Sequence, residues 1–222
     1  MILSVGAYAR IESKVKAVTE IGATSAALLG QLAWREQTPY ELSKAMSRNV
    51  RFFWPRADSH IYREVKRLLE LGLAESERGA TGRRPRTTYR ITEAGRTALA
   101  GWLGSAPGGF ALEHEPLLRV FLSPSGTRAD LLAAVARARD DARAMLAIAG
   151  GIANEYLAGT HEFQEHVHIR QFTFDYLSSW ATLTVEWADR TEAEVRRWRD
   201  VRPSPAKHER ALQRIARLAG RR

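Results

Sequence analysis

The sequence predicts a mostly α fold: an N-terminal winged helix-turn-helix joined to a C-terminal long-helix, coiled-coil-like domain. Three observations predict it. Three helical signatures precede a two-strand signature between residues 24 and 104. An unbroken heptad seam runs from residue 131 to residue 156. Positive charge gathers at both ends of the 222-residue chain: residues 1–104 hold 17 basic and 10 acidic side chains, residues 105–206 hold 11 and 14, and residues 207–222 hold 6 and 1.

Residues 1–23 form an N-terminal extension in which Ile11, Val15 and Val18 keep helical spacing. A first helix spans 24–35, with Leu28, Leu29 and Leu32 on one side. Thr38 and Pro39 read as N-cap and first residue of a second helix, 39–47. The stretch 49–56, with Phe52-Phe53-Trp54-Pro55, is a loop. A third helix runs to Leu71, where Gly72 stops it. Its Ile61, Val65 and Leu68 make an apolar face; His60, Arg63 and Arg67 lie opposite, flanked by Ser59, Tyr62 and Lys66. Residues 73–77 and 87–91 are strands, 79–82 the turn between them, and Thr92 caps a helix through Leu103.

A linker and short helix occupy 105–126, with the helix at 113–122. The domain 127–206 follows. Leu131, Val135, Ala138, Ala142, Met145, Ala149, Ile152 and Tyr156 step 4-3-4-3-4-3-4, and the three alanines invite close approach of a partner helix. A second long helix, 163–201, carries the stripe Ile169, Phe172, Tyr176, Trp180, Leu183 and Trp187 and is ended by Pro203 and Pro205. Residues 207–222 are a basic helix or tail. An apolar surface of this size predicts a homodimer.

Several classes are set aside. With no cysteine there are no disulfides and no thiol chemistry, and a cytoplasmic location is expected. No apolar run reaches the roughly 18 residues that span a bilayer, so no membrane partner is expected. No nucleophile elbow, phosphate loop or dinucleotide fingerprint appears, and no enzyme and no cofactor are expected. His161, Glu162, Glu165, His166 and His168 crowd together, but helical spacing puts only His161 and Glu165 on one face. Two ligands do not make a zinc site, so these are expected as solvated polar residues of a helix start, with no metal.

What remains is the charge. The outward face of the third helix is basic and rich in hydrogen-bonding groups, which suits a major groove. From Arg78 to Arg90 the hairpin carries five arginines and no acid. Arg83, Arg84 and Arg86 sit at or just past its tip, placed to reach phosphates. Double-stranded DNA is the expected partner. A charged tip that only discourages strand pairing is the plainer alternative.

Residues 24–103 resemble the PadR-type transcriptional regulators. Leu28-Leu29-Gly30 and Pro39-Tyr40-Glu41-Leu42 resemble the family's first two helices. Ser59-His60-Ile61-Tyr62, Lys66-Arg67-Leu68 and Gly72-Leu73 resemble its recognition helix, and Tyr89 to Arg96 its wing exit. The second half is similar to the dimerisation domain of the larger subfamily. Pro39 stands where the family usually has Gly, and Arg63 where it usually has Pro. The resemblance implies a homodimeric repressor reading an inverted-repeat operator through Tyr40, Ser59, His60, Tyr62, Arg63, Lys66, Arg67, Arg83, Arg84 and Arg86. Some members of the family bind phenolic compounds, so Tyr176, Trp180 and Trp187 are the expected contacts for a small aromatic effector. The alternative function is a winged-helix protein–protein interaction module without DNA binding.

Overall fold

In the computed structural model, which describes residues 21–81 and 84–219, each element follows from a short sequence cause. Helix α1 (Ala23–Trp34) buries Leu28, Leu29 and Leu32. Helix α2 (Pro39–Asn49) opens on a full capping box: Thr38 Oγ1 accepts from the Glu41 N–H, and the Glu41 carboxylate accepts from the Thr38 N–H. Helix α3 (Asp58–Glu70) buries Ile61, Val65 and Leu68. It closes in a Schellman turn, with Gly72 N–H donating to Leu69 O, Leu73 N–H donating to Leu68 O, and Gly72 at φ 68°.

Strands β1 (Ala74–Thr81) and β2 (Arg84–Ile91) pair antiparallel, Ala74 opposite Ile91 and Thr81 opposite Arg84. This corrects the turn expected at 79–82. Gly79, Ala80 and Thr81 pair with Arg86, Pro85 and Arg84, so strand pairing continues through small residues that sequence reads as turn formers. Gln37 adds a one-residue bridge to the sheet by exchanging backbone hydrogen bonds with Tyr89 at 3.1 and 2.8 Å. Helix α4 (Glu93–Leu103) starts at Thr92, whose hydroxyl accepts from Gly95 N–H. Leu28, Leu29, Leu42, Leu68 and Leu73 are wholly buried in one core with Ile61, Val65, Ile91 and Ala98. Each such leucine contributes about 1.5–3 kcal/mol.

The chain divides into two compact units, residues 1–109 and 110–222. In the second, helix α5 (Glu115–Leu122) is capped by the His114 ring, which accepts from Leu117 N–H. Helix α6 (Arg128–Leu157) starts with a second capping box, Thr127 with Asp130. Helix α7 (Val167–Arg196) packs along it. On α6, Leu131, Val135, Ala138, Ala142 and Met145 are buried, while Ala149, Ile152 and Tyr156 are half-buried. From α7 the buried side chains include Ala181, Ala188 and Val195, three residues seven apart.

Two expectations for this unit are corrected. The long helix stops at Arg196, where a distant arginine takes the terminal carbonyl and one just past it, and not at residue 201. Arg128 Nη1 donates to Arg196 O at 3.1 Å and to Trp198 O at 2.7 Å, and Trp198 packs beside the Leu131–Val135 cluster. Pro205 opens a further helix, α8 (Pro205–Ala219), where the sequence reading had it close one. A buried carboxylate holds α8: Glu194 accepts from Trp198 Nε1, Arg210 Nε and Arg214 Nη2 at 3.1, 3.0 and 2.9 Å.

Candidate nucleic-acid interface

Helix α3 owes its position to its apolar side, and its outward side follows. With Ile61, Val65 and Leu68 in the core, Ser59, Tyr62, Arg63, Lys66 and Arg67 are exposed and His60 is half-exposed. Asp58 sits in the first turn, favourable to the helix dipole, and accepts from Ser43 Oγ at 2.7 Å, which ties α3 to α2. Tyr40, in the first turn of α2, is 70% exposed.

The cations of this face are not equivalent. Arg67 Nη1 donates to Glu64 at 2.8 Å and lies 3.4 Å from Ser25 Oγ, and Ser25 itself donates to Glu64. Burial works against the Glu64 charge, but the Ser25 and Arg67 donors outweigh it, and the carboxyl lies below its ordinary 4.5. Arg67 therefore also braces α3 on α1. Arg63 Nη2 lies 2.7 Å from His60 Nδ1. Lys66 is 3.7 Å from Glu70, with both side chains mostly in solvent.

The wing is less one-sided than its sequence. Arg86 pairs with Glu41 at 3.3 Å and Arg90 with Glu75 at 3.0 Å, so two of its five arginines meet carboxylates from outside the 78–90 stretch. The Thr38 N–H and then the Thr38 hydroxyl hold the Glu41 carboxyl below its ordinary value, with Arg86 adding to the effect. Arg84 belongs to β2, and Arg83 lies outside the described residues. Sequence reading gave Glu41 and Glu64 no part in neutralising this face because Arg86 and Ser25, which they also meet, are 45 and 39 residues away.

The three aromatic effector candidates fall into different settings. Tyr176 is 61% exposed. Trp180 is half-buried, with the His114 ring edge-on at 6.1 Å. Trp187 packs against the Leu131, Val135, Ala188 and Val195 cluster of its own unit. His161 departs from the expectation of a solvated group: it is buried, its ring stacks on Tyr156 at 3.9 Å, and its Nδ1 accepts from Phe163 N–H. Apolar neighbours on both sides draw it in. Among the described residues no group of three or more metal-ligating side chains gathers, and no helix is long and apolar enough to cross a membrane.

Three helices, a two-stranded wing and an exposed basic third helix define the first unit as a winged helix-turn-helix. Residues 28–101 match the model of the Transcriptional regulator PadR-like family. No curated protein matches the chain. Among solved structures, Bacillus subtilis PadR in complex with operator DNA is 20% identical, covering 77% of this chain and 98% of its own at a TM-score of 0.64. The smu.1604c protein of Streptococcus mutans is 19% identical over 78% and 99%, with a TM-score of 0.67. Bacillus subtilis PadR in complex with p-coumaric acid is 18% identical over 81% and 100%, with a TM-score of 0.59. At these identities the likeness is one of fold, and it extends to the long C-terminal helices.

Proposed function

We propose that this chain is a homodimeric, sequence-specific DNA-binding transcriptional regulator of the cytoplasm, a repressor rather than an enzyme, that releases its operator on binding a small aromatic effector. The observation that carries the reading is the solvent-facing side of α3, where Ser59, Tyr62, Arg63 and Lys66 line a helix anchored by its opposite face. Hydroxyl, guanidinium and ammonium groups spaced along one helix face match the donor and acceptor pattern of a major groove. Tyr40, His60, Arg67, Arg83, Arg84 and Arg86 complete the proposed contact set, the wing arginines toward phosphates.

Dimerisation is supported by α7. Ile169, Phe172, Tyr176 and Leu183 are 57–66% exposed in the single protomer, a long apolar stripe for one chain to leave in water. A twofold dimer presents two equal recognition helices and reads an inverted repeat. The domain scheme of extension 1–23, winged helix 24–104, linker and short helix 105–126, dimerisation domain 127–206 and basic tail 207–222 belongs to this proposal. So does an effector bound near Tyr176, Trp180 and Trp187. The neighbour solved with p-coumaric acid makes a phenolic acid the first probe to try.

Selection from random duplexes tests the reading. A palindromic motif bound by a species of roughly twice 24.9 kDa is expected. A single asymmetric half-site would count against the dimeric reader, and the absence of salt-dependent duplex binding would leave the protein–protein module.

A further inference from the structure

The loop between α2 and α3 carries charge that the recognition helix does not account for. Residues 50–57 read Val-Arg-Phe-Phe-Trp-Pro-Arg-Ala, and the loop is firmly held. Phe53 N–H and Trp54 N–H both donate to Val50 O, at 3.1 and 2.7 Å. Trp54 Nε1 donates to Thr24 Oγ1 at 3.1 Å, which pins the indole to the start of α1. On this frame the two arginines lie over aromatic rings. The Arg51 guanidinium carbon is 4.7 Å from the Phe52 ring centre, and that of Arg56 is 4.4 Å from the Trp54 ring. Arg56 Nη1 also donates to Pro55 O at 2.7 Å.

Both arginines are exposed, and among the described residues neither meets a carboxylate. That sets them apart from Arg67 and Arg86, whose charges are met by Glu64 and Glu41. The nearest acid in sequence, Asp58, is turned onto Ser43. A guanidinium resting on a ring keeps N–H groups at its rim for an acceptor and has already given up part of its rotamer freedom. An anion that binds it therefore costs less ordering than one captured by a free arginine.

We infer that Arg51 and Arg56 form two preorganised phosphate contacts for duplex DNA on the loop that leads into the recognition helix. The inference rests on the DNA-binding reading above. Arg56 lies two residues before Asp58, the first residue of α3. In a helix-turn-helix the first residues of the recognition helix approach the base edges, so the turn that leads into it passes the sugar–phosphate backbone at the groove's lip. The positive end of the α3 dipole favours an anion at the same place. The ligand is the phosphodiester, so these contacts add affinity and fix register without choosing sequence.

The test uses the full-length chain and a fluorescently labelled, mixed-sequence duplex, with affinity measured by anisotropy over a range of salt. The wild type should bind with a steep slope of log K against log salt. Arg51→Gln with Arg56→Gln should reduce that slope by about 2 per protomer, at about 0.9 per lost phosphate contact. Arg51→Lys with Arg56→Lys, which keeps the charges, should retain the wild-type slope, and denaturant melts should show the stability of the fold unchanged in both variants. A wild type that does not bind the duplex brings down the DNA-binding reading itself. A wild type that binds, with a glutamine variant of unchanged slope, overturns this inference alone. A lysine variant as shallow as the glutamine variant, with an earlier melt, overturns it too, because the arginines would then only shape the loop.

Discussion

Arg67 shows how far one residue's role depends on a partner the sequence does not announce. Its place on the outward side of α3 is legible from spacing; its contact with Ser25, 42 residues away, is not. Arg67→Ala should lower stability by about 1 kcal/mol, since its side chain is 45% exposed and such pairs are worth little in water. The slope of duplex binding against salt should change less than in Lys66→Ala. Comparing chemical melts with salt titrations of both variants checks this, and an equal slope change in the two would show that Arg67 serves phosphate as fully as Lys66 does. Glu64 and Glu41 add a pH dependence. Both carboxyls lie below their ordinary 4.5 in the folded unit, so the unfolded chain binds more protons near that pH. Their stabilisation is complete above 4.5 and is lost as pH falls through the folded values. The urea midpoint should therefore drop on acidification below about 4.5, and the drop should be smaller in Glu41→Gln, which has already lost its charge. An acid limb identical to wild type would show that the Thr38–Glu41 box does not contribute to it.

At the scale of elements, the starts were the readable part. Thr38, Thr92 and Gly72 each act where their chemistry places them: two caps and one left-handed stop. The ends that depend on tertiary contact were not readable. Arg128 takes the last carbonyl of α7, at Arg196, and that of Trp198 just past it from 68 and 70 residues away, so no local signal marks Arg196 as a terminus. The hairpin continued through Gly79 and Ala80 because cross-strand pairing outweighs weak strand propensity. Gly95 illustrates the same dependence. A Cβ there would lie 2.0 Å from Leu73 O and 2.8 Å from Ile91 Cγ1, so α4 reaches the base of the wing only because this position has no side chain. Gly95→Ala should destabilise the first unit by about 3 kcal/mol or leave it unfolded, read from denaturant melts. Melting within about 0.5 kcal/mol of wild type would mean that α4 docks elsewhere. Helix α8 hangs on Glu194, whose carboxyl is kept below its ordinary value first by Trp198 and, against burial, by Arg210 and Arg214. In Glu194→Gln, amide exchange across residues 205–219 should quicken while that of α6 stays slow. Unchanged exchange in α8 would show that its other contacts suffice.

The molecule as a whole separates into what one chain completes and what it leaves open. The winged helix closes its own core, and its architecture was legible because periodicity, caps and turn residues all agree. The second unit closes only one side of its long helices. The α6 seam finds a partner within the chain, so a heptad pattern that reads as an interface between subunits is in large part an intramolecular one. Sequence spacing cannot tell these apart, since a helix face looks the same whichever chain covers it. What α7 leaves uncovered is the sharper guide to assembly: Phe172 and Tyr176 are 66% and 61% exposed. Replacing both with Glu introduces charge where a protomer already meets solvent, so the far-UV spectrum and helix content should be preserved. Across a twofold interface the same four carboxylates would be brought together in a desolvated layer, which dissociates the dimer. Sedimentation should shift from roughly twice 24.9 kDa to 24.9 kDa. Duplex affinity should fall with it, because two linked half-site contacts become two independent ones. A double-Glu variant that still sediments as a dimer would move the interface away from this stripe, toward another exposed apolar element of the unit, such as Leu118, Phe121 and Leu122 on α5.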